Sequence, residues 1–201
     1  MQTDDLIRNI IAGLALVVSL FTAYKTLVAR FAGKVFPASY FNLSHVGEGS
    51  SAVPTIILAC FFENSGARPG ILDDLRLVVK HNEGGTTTFF FPQRLRDGYD
   101  VSVSYGDRDW LVFGGVSLPA RAKMDKYLLF QPLSDRFQAE EGLFEVTLEC
   151  RWHNARKWSS TSPALHFKLT PSIAERWNSG TGAAVQVACS EILDYRKAFR
   201  S

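Results

Sequence analysis

The sequence contains little cysteine. Only Cys60, Cys150 and Cys189 occur in 201 residues, and an odd number is unlike the paired framework of a disulfide-rich domain. Cys60 and Cys150 both lie in apolar stretches, so an immunoglobulin-type bridge between two sheets has to be weighed. That arrangement places a tryptophan soon after the first cysteine, whereas the first one after Cys60 is Trp110. We therefore expect buried free thiols in a reducing compartment.

The sequence also lacks a charge excess and any familiar catalytic spacing. Its 22 basic and 20 acidic residues leave a net charge of +2, which gives no basis for a nucleic-acid partner. The four histidines and three cysteines form no pair at a C-x₂-C or H-x₃-H interval, the spacings typical of zinc sites. A nucleophile elbow and a glycine-rich phosphate loop are missing as well. We therefore predict no metal, no cofactor and no enzymatic activity.

A long apolar stretch lies at the N-terminus. Residues 10–24 carry no charge, and extension to residues 6–28 gives 23 residues, or about 34 Å of helix. Such a helix would cross the hydrocarbon core of a lipid bilayer, with Arg8 and Lys25 reaching the headgroups. The sequence thus predicts a transmembrane anchor within residues 1–33. A cleaved signal peptide and a buried helix of a soluble protein are the alternatives.

The flanks and the interior of this stretch carry two further signals. One basic residue precedes it and three follow it: Arg8, then Lys25, Arg30 and Lys34. The positive-inside rule then predicts a cytoplasmic C-terminal domain. Small residues recur every four positions at Ala15, Ser19 and Ala23. Such a stripe lets two helices approach closely, so it predicts a homo-oligomer or another protein partner.

The middle of the chain reads as short strands separated by turns. Eight strands are predicted, over residues 53–63, 71–81, 86–91, 101–105, 110–118, 123–131, 144–152 and 165–169. The first is apolar on both faces, which indicates a central strand covered on both sides. The seventh alternates between apolar and polar residues. This pattern predicts a mainly β chain with an antiparallel β-sandwich over residues 34–170.

The last part, residues 171–201, is predicted to be a helical extension. Thr170 and Pro171 are suited to the N-cap and first residue of a short helix that runs through Trp177. Apolar residues at helical spacing in Ser190 to Arg200 predict a further helix at the C-terminus.

Several turn and core positions carry a resemblance to a known group of proteins. The run FENSGARPGILDDLRL from Phe62, the Leu118-Pro119 turn and the GLFEV segment from Gly142 resemble those of bacterial single-pass membrane proteins. The resemblance implies an N-terminal span, an immunoglobulin-like β-sandwich and a place in the bacterial inner membrane. Such proteins are sometimes encoded beside defence-type gene sets, and the resemblance carries over no active-site residues.

Two functions follow as hypotheses. The first is a membrane-anchored, non-enzymatic interaction module, in its sharper form an oligomerising membrane effector or an accessory protein of a bacterial defence-type system. The alternative is a membrane-tethered sensor of a small anionic or nucleotide ligand. Four arginines in the loop-rich middle are its candidate ligand-binding residues: Arg94, Arg96, Arg108 and Arg121. Arginines that converge on one cavity would favour the sensor, and scattered, solvated arginines would not.

Overall fold

The computed structural model describes residues 2–25, 30–47, 52–97, 110–134, 137–161, 163–180 and 184–189. Within these ranges the chain is mainly β, with twelve strands and two helices. The helices are α1 (Gln2–Ala23) and α2 (Pro171–Ser179). The strands are β1 (Gly33–Pro37), β2 (Tyr40–Val46), β3 (Val53–Asn64), β4 (Gly70–His81), β5 (Thr87–Asp97), β6 (Leu111–Val112), β7 (Val116–Leu118), β8 (Lys123–Pro132), β9 (Gly142–Trp152), β10 (Ser159–Ser160), β11 (Leu165–Leu169) and β12 (Val185–Ala188).

The strands form one curled antiparallel sheet, so the predicted immunoglobulin-like sandwich of two separate sheets is wrong. The lateral order along the sheet is β10-β9-β4-β5-β8-β3-β2-β12. The long strands β3 and β9 each pair with two short strands in succession, β1 and β2 in one case and β10 and β11 in the other. Inter-strand hydrogen bonds therefore join the twelve described strands into one sheet and do not divide them between two separate sheets.

The strand predictions are correct where side-chain periodicity is strong. β3 is buried on both faces from Pro54 to Cys60, which confirms the doubly covered central strand. β9 alternates between buried and half-buried residues. The predicted strand over residues 110–118 is divided into β6 and β7, because Gly115 adopts a positive φ of 95° between them. The predicted strand over residues 101–105 lies outside the described residues.

The interior of the curl holds the hydrophobic core. Rings from β2, β9 and β11 meet there: Phe41 and Phe144 both contact Phe167, with ring centres 5.7 and 5.2 Å apart. All three cysteines are free, with Cys60 and Cys150 buried and Cys189 half-buried. The prediction of free thiols is therefore confirmed.

The predicted transmembrane anchor is wrong. Among the described residues, neither helix is both long and apolar enough to cross a bilayer. Within α1 the uncharged part from Ile10 to Ala23 has 14 residues, or about 21 Å of helix, against a hydrocarbon core of about 30 Å. Residues 26–28, on which the predicted length depended, lie outside the described residues. The single-pass topology inferred from that anchor loses its basis.

The short helix α2 confirms the prediction made from its first residues. Thr170 is the N-cap, and its hydroxyl accepts a hydrogen bond from the Ile173 backbone N–H. Gly180 ends the helix in the left-handed conformation, with a φ of 64°. The buried Trp177 joins the helix to the sheet, as its indole N–H donates to the Ser44 and Thr55 carbonyls. The further helix predicted over residues 190–200 lies outside the described residues.

Candidate ligand-binding cavity

The outer face of the curled sheet carries a row of side chains that begins with an arginine. Arg94 of β5 lies beside Leu129 of β8, Leu129 beside Ile57 of β3, and Ile57 beside Asn42 of β2. Directly opposed residues of antiparallel strands share one face of a sheet. Because Phe61, which shares a face of β3 with Ile57, is 50 % exposed, this row lies on the outer side of the sheet.

A cavity of about 210 Å³ lies over this row. Its apolar base is formed by Ile57 and Leu129, which are both buried in the sheet. Its polar side chains come from Ser44 of β2 and from the exposed Arg94, and Trp110 adds an aromatic wall. The lining residues include Ser44, His45, Ile57, Arg94, Trp110 and Leu129. The cavity therefore combines a guanidinium, a hydroxyl and an indole above an apolar base.

A second arginine supports the aromatic wall from the adjoining row. Arg96 lies beside Tyr127 on the same outer face, and it is only 7 % exposed. Its guanidinium carbon is 5.2 Å from the centre of the Trp110 ring and 5.5 Å from that of Tyr127. The Tyr127 hydroxyl lies 3.3 Å from the Tyr40 hydroxyl. These cation–π contacts fix the position of Trp110 at the cavity.

The structure thus brings two of the four predicted arginines together. Arg94 and Arg96 are two positions apart on β5 and lie on one face. Arg121 lies elsewhere, in the turn before β8, where its Nη2 donates to the Lys25 carbonyl at 3.2 Å. Arg108 lies outside the described residues. Of the predicted arginines, Arg94 and Arg96 therefore lie close together on β5, and Arg121 lies apart from them.

The sequence predicts a strand that ends at Phe91, so Arg94 and Arg96 are expected in the loop that follows it. β5 instead continues to Asp97, and a register shift between Pro92 and Arg94 accommodates the proline. Trp110 and His45 were not predicted as site residues. The spacing of Arg94 and Arg96 could have predicted that the two side chains lie together, since alternate residues of a strand share one face of a sheet.

The helix-packing residues Ala15, Ser19 and Ala23 lie on α1. Every described side chain of α1 is exposed, and its large apolar side chains from Ile7 to Phe21 are 54–63 % exposed. The stripe is therefore accessible, as is the remainder of the helix surface.

Metal-binding geometry is not found in the part of the chain that the structure describes, where no three His, Cys, Asp or Glu side chains are grouped to hold an ion. Neither protein-family models nor curated proteins give a match to this chain.

Proposed function

We propose that the chain is a non-enzymatic binding domain that senses a small anionic ligand in the cavity formed by Ser44, His45, Ile57, Arg94, Trp110 and Leu129. The observation that carries this proposal is the convergence of Arg94, Ser44 and Trp110 on one cavity with an apolar base. Ligand sites commonly combine an apolar lining with a few polar groups that set orientation.

The chemistry of the cavity suits an anion. A guanidinium can hold a carboxylate or phosphate through two parallel hydrogen bonds, and the Ser44 hydroxyl can donate a further one. The apolar base formed by Ile57 and Leu129 lowers the local dielectric, which strengthens a charge-assisted hydrogen bond. Because Arg96 holds Trp110 in place, less conformational freedom is lost when a ligand binds.

The proposal is tested by isothermal titration calorimetry of the full chain with inorganic phosphate, benzoate and AMP, with neutral benzamide as a comparison. We expect at least one anion to bind, and Arg94→Gln to weaken that binding by 10-fold or more, since hydrogen bonds to charged groups contribute about 1.5–3 kcal/mol. Arg156→Gln, at an exposed position outside the cavity, should bind as the wild type does. Absence of binding by every anion, or equal binding by the two variants, would contradict the proposal.

A second candidate function is a protein-interaction module that assembles through α1. The observation in its favour is the exposure of apolar side chains on every side of the helix, from Ile10 to Phe21. Contiguous apolar surface of this kind marks interaction sites, and the Ala15, Ser19 and Ala23 stripe would allow close helix contact.

Light scattering of the full chain in mild detergent tests this second candidate. If α1 mediates self-association through its small residues, Ser19→Leu should lower the measured mass, and Ser172→Leu on α2 should leave it unchanged. A monomeric wild type, or an unchanged mass for Ser19→Leu, would argue against assembly through this stripe.

A further inference from the structure

We propose that the ligand of the Arg94 cavity is a small planar carboxylate of about the size of benzoate, and not a phosphorylated nucleotide. This inference rests on the proposed anion-binding function and narrows it to one ligand class. Three properties of the described walls carry it: the volume of the cavity, the number of cationic groups that line it, and the placement of the Trp110 ring.

The volume sets the size of the ligand. The cavity measures about 210 Å³, and a protein cavity of about 150 Å³ accommodates benzene. The additional space corresponds to a substituent of a few atoms, such as a carboxylate. Drug-sized ligands occupy sites of about 300–1,000 Å³, so a base, a ribose and a phosphate together exceed what these walls enclose.

The cationic groups set the charge. Arg94 is the one guanidinium among the described lining residues, because Arg96 lies behind the Trp110 ring and contacts it instead. One guanidinium matches one carboxylate through paired N–H···O hydrogen bonds. A phosphate group carries close to two negative charges and three strong acceptor oxygens, and the described lining residues include no second guanidinium to compensate them.

The remaining walls set the shape. Trp110 presents an aromatic ring, and Ile57 and Leu129 present branched apolar side chains. A planar ring can lie in an offset or edge-to-face arrangement against an indole with ring centres about 4.5–7 Å apart. Because Trp110 is held by Arg96, the ring is already positioned before the ligand enters. A planar carboxylate therefore uses the polar group and the apolar walls together.

The test compares matched ligands by calorimetry with the full chain. Benzoate and cyclohexanecarboxylate have equal charge and similar size but differ in planarity, benzamide is the neutral analogue of benzoate, and inorganic phosphate and AMP represent the other anions. We expect benzoate to bind at least 5-fold more tightly than cyclohexanecarboxylate and at least 10-fold more tightly than benzamide, phosphate or AMP.

Two variants separate the contributions of charge and shape. Trp110→Leu should remove the preference for benzoate over cyclohexanecarboxylate and keep the preference for benzoate over benzamide. Arg94→Gln should remove the preference for the anion, and the equally uncharged Arg94→Met serves in its place if the glutamine variant is unfolded by circular dichroism. Arg156→Gln should retain both preferences.

The outcomes distinguish this inference from the function on which it rests. If phosphate or AMP binds more tightly than benzoate in an Arg94-dependent manner, the ligand class is wrong and anion binding stands. If benzoate binds no better than cyclohexanecarboxylate, the planar-ligand inference is overturned. If no anion binds, both proposals are overturned.

Discussion

Asn64 organises the turn between β3 and β4 through its side-chain amide. The residue is 1 % exposed, and its Nδ2 donates to the Arg68 carbonyl at 2.8 Å and to the Pro119 carbonyl at 2.9 Å. Its Oδ1 accepts from the Gly66 backbone N–H at 2.9 Å. One asparagine side chain therefore forms hydrogen bonds to backbone groups of two separate turns. This role explains why Asn64 stands two residues before Gly66 in the sequence.

Replacement of this amide should destabilise the fold strongly. Asn64→Ala leaves the Gly66 N–H and the Arg68 and Pro119 carbonyls without their protein partner, and we expect the free energy of unfolding to fall by about 2–4 kcal/mol. Urea denaturation measures the loss. Asn82→Ala, in an exposed turn, is the matched control and should change stability by less than about 0.5 kcal/mol. Equal stability of the two variants would contradict this role.

The Cys60 thiol couples stability to alkaline pH. Complete burial raises the pKa of Cys60 far above its usual value of 9.0, because the apolar core disfavours the thiolate. Burial likewise raises the pKa of Cys189 to about 12. In the unfolded chain these thiols ionise near pH 9, whereas in the folded chain they stay protonated. The unfolded state then binds fewer protons, so stability falls as pH rises above 9.

Each such thiol should lower the free energy of unfolding by about 1.4 kcal/mol per pH unit above pH 9. We expect Cys60→Ala to flatten this slope between pH 9.5 and 10.5, although the variant itself is less stable at pH 7 because it leaves a small cavity. Urea denaturation at several pH values measures both slopes. Parallel slopes for the wild type and the variant would contradict the burial of a protonated thiol.

At the scale of elements, α2 joins two neighbouring strands through one side chain. The Trp177 Nε1 donates to the Ser44 carbonyl of β2 at 2.9 Å and to the Thr55 carbonyl of β3 at 3.1 Å. The ring also lies against Phe137, with ring centres 5.5 Å apart. Since Ser44 lines the ligand cavity, the docking of α2 supports one wall of the site.

Trp177→Phe retains an aromatic ring and removes the indole donor. We expect a loss of about 1–3 kcal/mol in the free energy of unfolding, because the buried Thr55 carbonyl loses this hydrogen bond and the smaller ring leaves a gap. Thermal or urea denaturation provides the measurement. Glu175→Ala, exposed on the same helix, should stay within about 0.5 kcal/mol of the wild type; a similar small effect for Trp177→Phe would contradict the docking role.

The elements also show which features the sequence could predict. Alternation in β9 and the double apolar face of β3 depend on local periodicity, and both predictions are correct. The continuation of β5 past Pro92 was missed, because a proline usually ends a strand and only the register shift beside β8 accommodates it. That one boundary decided whether Arg94 and Arg96 were assigned to a loop or to one face of a sheet.

At the scale of the whole molecule, periodicity identified strands but not their partners. A sandwich and a curled sheet share the same alternation, and they differ in lateral pairings such as that of β8 with both β3 and β5. These pairings join residues far apart in sequence, so no short window contains them. The candidate cavity could not be predicted from a short sequence window either, because His45, Arg94 and Trp110 come from three separate segments of the chain.

A second cluster of arginine and aromatic side chains provides an internal comparison. Trp158 has the Arg76 and Arg151 guanidinium carbons 4.3 and 5.3 Å from its ring centre. Arg76 forms an ion pair with Glu149 at 2.6 Å, and Arg151 forms one with Asp74. Because carboxylates of the chain already compensate both guanidiniums, this cluster is expected to attract an added anion only weakly.

The most direct test of anion binding is a two-dimensional ¹H–¹⁵N NMR titration of the labelled full chain with benzoate. We expect the largest shifts at the Trp110 indole N–H and at the His45 and Arg94 backbone amides, and we expect Arg94→Gln to abolish them. The Trp158 indole signal should change little. Shifts centred on Trp158, or equal shifts in the wild type and Arg94→Gln, would contradict the assignment of the binding site.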